Sequence, residues 1–186
     1  MKLIDTLAQH IRIDDEIRYF FENEVTTRTF QKNEIISTQD QYNRNVYFVD
    51  EGLARMFYYE NGKDITTNFF TEGKIFANID TIFKDSATRY NMETIEESVI
   101  TYCSYRKLEE LCNVSLTAAN FSRYVLGNLM MQMSLRISSL QYMTAKEKYK
   151  NLLDENPGII LRAPLGMIAT YLGISQETLS RIRSEV

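Results

Sequence analysis

The stretch PLGMIATYLGISQETLSRIRSE, residues 164–185, decides the reading of this chain. Pro164 suits the first turn of a helix, where its missing amide hydrogen would have no intrahelical partner, and the helix is expected to run to about Leu172. Gly173 can take the left-handed conformation that a tight turn between helices requires. Ser175 can then cap a second helix by accepting a hydrogen bond from a free amide, with Glu177 in the first turn opposing the positive end of the helix dipole.

The apolar spacing makes the pattern specific. Ile168, Ala169, Leu172, Gly173, Ile174, Leu179 and Ile182 match two helices crossing steeply over a short turn, with Ala169 small where they meet and the larger side chains closing a miniature core. Once Leu179 and Ile182 face inward, a 3.6-residue period turns Glu177, Ser180, Arg181 and Ser184 outward, with Gln176 at the exposed helix start. Gln176, Glu177, Ser180 and Arg181 are therefore the expected readers of base edges. Ser175, Thr178, Arg183 and Arg162 are the expected contacts to the DNA backbone.

Working back along the chain, Thr144-Ala145-Lys146-Glu147 fits a capping box, in which the threonine hydroxyl and glutamate carboxylate satisfy free amides at a helix start. Ala145, Tyr149, Leu152 and Leu153 give that helix one apolar face, and Asn156-Pro157-Gly158 is expected to stop it. Before it, residues 115–142 hold no proline and one glycine. Phe121, Val125, Leu129, Met133, Ile137 and Leu140 form a stripe along one helix about 40 Å long. Met130, Met131 and Leu135 widen the apolar surface. A helix apolar on two sides is expected to bury one against its own chain and the other against a second subunit.

Nearer the N-terminus the period changes. Residues 3–23 place Leu3, Ile4, Leu7 and Ile11, then Ile17, Phe20 and Phe21, on helical faces. From Arg28 onward, segments 34–38, 45–49, 53–59, 65–70, 90–95 and 98–104 are rich in β-branched and aromatic residues and separated by Gly, Asn and Asp. Glu60-Asn61-Gly62-Lys63 reads as a two-residue hairpin, because Asn-Gly tolerates positive φ at both central positions. Six or more short strands at this spacing predict a sandwich or barrel. Lys107-Leu108-Glu109-Glu110-Leu111 predicts a short helix after the last of them.

Residues 162–185 resemble the DNA-binding motif of the CRP/FNR family of bacterial regulators, and VYFVDEGLARMFYYENGKDI, residues 46–65, is similar to that family's β-roll strands and hairpin. The resemblance covers nearly the whole chain. It implies an α+β protein: an N-terminal antiparallel β-roll, cupin-like and cyclic-nucleotide-binding-domain-like, with flanking helices (1–112), a long dimerisation helix (113–143), and a helix-turn-helix domain (144–186), in which the family's wing is not visible. It further implies a homodimer on a palindromic operator of double-stranded DNA, Gln176, Glu177 and Arg181 at the main base-reading positions, and RNA polymerase as a partner such a regulator can engage. Arg181 suits a guanine edge and Glu177 a cytosine amino group. Family members often carry arginine where Gln176 stands, so the preferred DNA sequence is left open.

Relatives that bind cyclic nucleotides hold the ribose with a Gly-Glu pair and the phosphate with an Arg-Ser pair. Here Ala77-Asn78 and Arg89-Tyr90 stand at those places, and of the four residues only Arg89 matches. The expectation is that any effector is not a cyclic nucleotide. A pocket for an unidentified small molecule would draw on Phe69, Phe76, Asn78, Arg89 and Tyr90, with Tyr102 nearby; the alternative is that these aromatic residues are simply core.

Composition excludes other classes. The net charge of −4 divides as −5 over residues 1–143 and +1 over 144–186, so DNA binding must rest on the geometry of the motif rather than on a basic patch. With His10 the only histidine, no Ser/His/Asp set and no histidine-rich metal site can be assembled around the strands. Cys103 and Cys112 are too few for a four-cysteine iron–sulfur cluster and read as packing residues in a reducing cytosol. No enzyme, cofactor or metal is expected. The uncharged stretches, Tyr124 to Leu135 among them, are far short of the roughly 20 apolar residues that span a bilayer. The N-terminus meets acidic residues at once and has no signal-peptide pattern, which predicts a cytoplasmic protein. The competing function is a ligand-binding or protein-interaction module whose helix-turn-helix no longer reads DNA.

Overall fold

A computed structural model of the chain describes residues 3, 8 and 11–185. The N-terminal helix expected around Ile4 and Leu7, with His10, lies outside the described residues. The first complete element is α1 (Asp15–Asn23), capped by Asp14, whose carboxylate accepts from the Ile17 amide at 2.8 Å. The second oxygen of Asp14 accepts from the Ser115 hydroxyl at 2.8 Å, so one carboxylate ties α1 to the start of the long helix 101 residues later. Ile17, Phe20, Leu111 and Ala118 pack together at that junction.

Eight strands follow: β1 (Thr26–Phe30), β2 (Ile35–Ser37), β3 (Asn45–Glu51), β4 (Ala54–Glu60), β5 (Lys63–Phe70), β6 (Ile75–Ala77), β7 (Asn91–Thr94) and β8 (Ser98–Ser104), with a short helix α2 (Ile79–Phe83) between β6 and β7. They form two four-stranded sheets, ordered β1-β8-β3-β6 and β2-β7-β4-β5, and every pairing is antiparallel. Alternation along the strands buries Phe30, Tyr47, Val49, Ala54, Phe76, Met92 and Ile100 in the roll. All six strand segments expected from the sequence are present. The hairpin is present too: Glu60 pairs with Lys63, and Asn61 and Gly62 have φ of 50° and 75°. The sequence reading missed β1, the three-residue β6 and α2, which are too short or too polar to show a period.

Two helices lead out of the roll. α3 (Tyr105–Val114) ends where α4 (Leu116–Tyr142) begins, Ser115 capping α4 by accepting from the Ala118 amide. Phe121, Val125 and Leu129 are half-buried against the roll, whereas Met133 and Ile137 are 64% and 53% exposed. Among the described α4 residues only Ala118 is fully buried, so the helix is not covered within one chain.

The C-terminal segment holds four helices: α5 (Ala145–Glu155), α6 (Pro157–Arg162), α7 (Leu165–Leu172) and α8 (Gln176–Glu185). The capping box forms, the Thr144 amide donating to Glu147 at 2.8 Å and the Glu147 amide to the Thr144 hydroxyl at 3.3 Å. Asn156 ends α5, but Pro157 does not end the helical region. It stands at the first position of α6, where its fixed φ and missing donor cost nothing. Pro164 likewise precedes α7 as its N-cap, in an extended conformation (ψ 142°), one place before the expected position.

These helices share a core of Tyr149, Leu152, Ile159, Ile160, Ile168, Ala169, Leu172, Leu179 and Ile182. Leu53 and Ile95 of the β-roll belong to the same cluster, so the apolar interior runs on from the roll into the C-terminal helices.

Candidate nucleic-acid interface and the cavity behind it

The turn between α7 and α8 is built from a few backbone contacts. Gly173 adopts φ 68°, ψ 36°, and its amide donates to the carbonyls of Ala169 and Thr170, while the Ile174 amide donates to Ala169 at 3.0 Å. These bonds satisfy carbonyls that the helix end would otherwise leave unpaired. Ser175 caps α8, its hydroxyl accepting from the Thr178 amide at 3.2 Å. Glu177 follows, its carboxyl held below the usual range by its own backbone amide and by the Ser175 hydroxyl. Gly173→Ala is expected to cost about 1–2 kcal/mol, the penalty of a Cβ in the left-handed region. Added steric cost is absent, because that Cβ would lie 3.5 Å from Leu140, in ordinary contact. A shift of the urea unfolding midpoint, smaller for Gly173→Asn, measures it.

α8 divides cleanly. Leu179 and Ile182 are buried, while Gln176, Glu177, Ser180, Arg181 and Ser184 are exposed on the opposite side. Ser175 and Arg183 are also exposed, and Thr178 is half-buried with its hydroxyl 3.1 Å from that of Ser175. The Ser184 hydroxyl donates to the Arg181 carbonyl at 2.7 Å. Arg162 stands apart from this surface. Its guanidinium donates to Glu72 at 2.8 and 3.1 Å and to Glu96 at 2.8 Å, both on the β-roll. The Arg162 hydrogen bond chiefly holds the Glu72 carboxyl below its ordinary range.

α7 lies on β5, the edge strand of its sheet. The Thr66 amide donates to the Thr170 hydroxyl at 3.1 Å, and Phe69 meets the Tyr171 ring edge-on at 5.2 Å. A side-chain bond to an edge-strand amide removes a donor that could otherwise pair with another chain.

The other face of β5 borders a cavity of about 960 Å³ between the roll and α4. That lies within the range of small-molecule sites. Phe76, Arg89, Tyr90 and Tyr102 line it, together with Phe70, Asp80 and the α4 residues Phe121, Val125, Leu129 and Met133. Arg89 donates to the Tyr90 hydroxyl at 2.9 Å and lies over the Tyr58 and Tyr90 rings.

Two residues expected in this pocket are elsewhere. Phe69 points to the opposite face of β5, toward Tyr171, and the inward position belongs to Phe70, stacked on Phe76 at 4.5 Å. Asn78 is 1% exposed and serves the interior, its amide donating to the Ser37 hydroxyl at 3.3 Å and its oxygen accepting from Thr88 at 3.1 Å. Asp80, two residues on, borders the cavity instead and pairs with Lys84 at 3.1 Å. Nothing in the sequence singled out Asp80, because a carboxylate in a short helix reads as surface. Cys103 lines the cavity wall, and burial pushes its thiol up to about 12, so it stays protonated. Burial also raises Cys112, more modestly. No described helix is long and apolar enough to cross a membrane.

A two-sheet β-roll, with a cavity between it and a long helix that leads to a helix-turn-helix, defines the class. Residues 27–115 match the family model described as "Cyclic nucleotide-binding domain". No curated protein sequence matches the chain. Solved structures share the fold, among them the following three. FixK2 from Bradyrhizobium japonicum aligns with a TM-score of 0.74 at 21% identity, over 87% of this chain and 83% of that one. A protein assigned to the Crp/Fnr family of transcriptional regulators from Eubacterium rectale gives 0.72 at 16%, over 93% and 83%. The c-di-GMP-responsive global regulator CLP from Xanthomonas campestris gives 0.69 at 16%, over 91% and 89%. The chain has the fold of the CRP/FNR family of transcription regulators.

Proposed function

We propose that this chain is a sequence-specific DNA-binding transcription regulator that works as a homodimer, placing one α8 in each of two successive major grooves of a palindromic site. The observation that carries it is the division of α8. One side completes the helix-turn-helix core, and the other presents Gln176, Glu177, Ser180 and Arg181 to solvent. Ser175, Thr178 and Arg183 flank that face and contact phosphates; Arg162 can join them only after releasing Glu72 and Glu96. The exposed apolar side of α4, with Met133, Ile137 and Leu140, meets the same helix of a second copy. Such a protein acts in the cytoplasm, beside RNA polymerase, and catalyses no reaction.

The unit that reads DNA is 144–186, α4 within 113–143 is the dimer helix, and 1–112 is the sensing unit. Its cavity takes a small effector contacting Phe76, Arg89 and Tyr90. A cyclic nucleotide is disfavoured, because Asn78 offers no carboxylate and its amide is spent on Ser37 and Thr88.

Selection of bound sequences from random DNA tests the reading. The expected result is an enriched palindrome whose binding weakens steeply with salt. Arg181→Ala is expected to lose roughly 1–3 kcal/mol of binding to that site and to relax the preference at one guanine, measured by mobility shift at fixed salt. Failure to enrich any sequence, with or without cell extract, would favour instead a module whose helix-turn-helix no longer reads DNA.

A further inference from the structure

The guanidinium of Arg136, on α4, donates to the main-chain carbonyl of Tyr171 and lies 4.0 Å over the Tyr171 ring. Tyr171 is in the last turn of α7, and its carbonyl is one of those that a helix leaves unpaired. The backbone amides of the turn serve Ala169 and Thr170, and of the two carbonyls left, that of Tyr171 is met by a side chain from another helix. A cation at a helix C-terminus is favourable, since the partial charge there is negative. That attraction offsets the burial of this charge, which lowers the guanidinium's affinity for its proton. One turn further along α4, Leu140 lies beside Gly173, 3.5 Å from where a Cβ on that glycine would stand. Residues four apart share one helix face, so 136 and 140 together seat the turn of the helix-turn-helix on α4.

We propose that Arg136 is a positioning residue: by holding the Tyr171 carbonyl it sets the angle of α7 and α8 to α4, and thereby the half-site spacing that the dimer accepts. The proposal rests on the DNA-binding dimer described above. The C-terminal helices join α4 through the chain at 143–144, which alone leaves them free to rotate. The Arg136 contact opposes that rotation from the α4 side, while the Thr66–Thr170 bond, Arg162 and the core shared with Leu53 and Ile95 oppose it from the roll. If α4 lies beside the two-fold axis, the rotation of each α7–α8 pair about it sets the distance between recognition helices, and DNA accepts two of them only at a matching separation.

The full-length protein and Arg136→Gln are compared on the selected palindrome, on versions with one base pair inserted or removed between half-sites, and on a single half-site. The unaltered protein is expected to lose about tenfold or more in affinity for either altered spacing, a difference of about 1.4 kcal/mol. Arg136→Gln is expected to bind the best spacing more weakly and to discriminate by less than about threefold, with single half-site binding and dimer mass unchanged. Arg136→Lys keeps the charge but not the planar stacking, and is expected to recover part of the discrimination. Should Arg136→Gln fold poorly, Arg136→Met keeps an unbranched apolar stem, removes the donor to the Tyr171 carbonyl and supplies the same comparison. An unchanged spacing profile in a folded, dimeric variant overturns the proposal while leaving DNA binding intact. Absence of any DNA binding by the unaltered protein overturns both.

Discussion

Arg55→Ala is expected to destabilise the protein by about 3 kcal/mol, because it leaves two partly buried carboxylates without their counter-ion. Arg55 is 2% exposed on β4. Its guanidinium donates to both oxygens of Asp64 at 2.5 and 2.6 Å, to Glu93 at 2.8 Å and to the Thr66 hydroxyl at 2.8 Å, and it lies 4.0 Å over the Phe57 ring. Burial works against its charge, but the bonds to Asp64 and Glu93 outweigh this and raise its pKa. The Glu93 side chain is 12% exposed and has little water to turn to, whereas Asp64 at 37% can be rehydrated, which limits the loss. Urea unfolding at neutral pH measures it. The double variant Arg55→Met with Glu93→Leu is expected to recover much of the loss, since an apolar pair is often no worse than a buried ionic one. A single-variant loss below about 1 kcal/mol would mean that the cluster behaves as a surface ion pair. Arg55 also holds Thr66, whose amide bonds Thr170, so the variant loosens the edge on which α7 rests.

Leu179→Ala carries the other large effect, an expected loss of about 2–5 kcal/mol. Leu179 is 0% exposed, at the centre of the core formed by Ile168, Leu172, Ile182, Tyr149 and Leu152. Truncation removes the apolar contact and leaves a cavity that helices tied to β5 and α4 cannot collapse to fill. The same substitution at exposed Ser180 is expected to leave stability within about 0.5 kcal/mol while acting on DNA binding. Thermal and urea unfolding distinguish the two. Equal losses at both positions would contradict the division of α8 into a packed and an open face.

One strand links the cavity to the helix-turn-helix. β5 presents Phe70 to the cavity and Phe69 to Tyr171, so a ligand displacing the inner face would act on the strand that holds α7. Arg162 adds a second tie between α6 and the roll through Glu72 and Glu96. With both ties broken, the Arg136–Tyr171 contact and the core shared with Leu53 and Ile95 would still hold the C-terminal helices.

Much of this was legible in residue order alone, wherever structure follows from contacts within a few residues. The Asn61-Gly62 hairpin, the Thr144–Glu147 capping box, the left-handed Gly173 and the two-faced α8 all depend on local backbone preference and on periodicity, which sequence displays directly. What only the tertiary structure decided were the pairings across long separations and the faces of irregular strands. The register of β4 and β5 shifts between Met56 and Phe57, and an irregularity of one residue exchanges the faces of everything beyond it, so Phe70 rather than Phe69 enters the cavity. Asn78 left the expected pocket because Ser37 and Thr88, brought beside it by the fold, satisfy its amide in the interior. Arg162 and Glu72 are 90 residues apart, and Arg136 and Tyr171 are 35. Hydrogen bonds at such distances depend on how the helices pack against the roll, which no local pattern encodes.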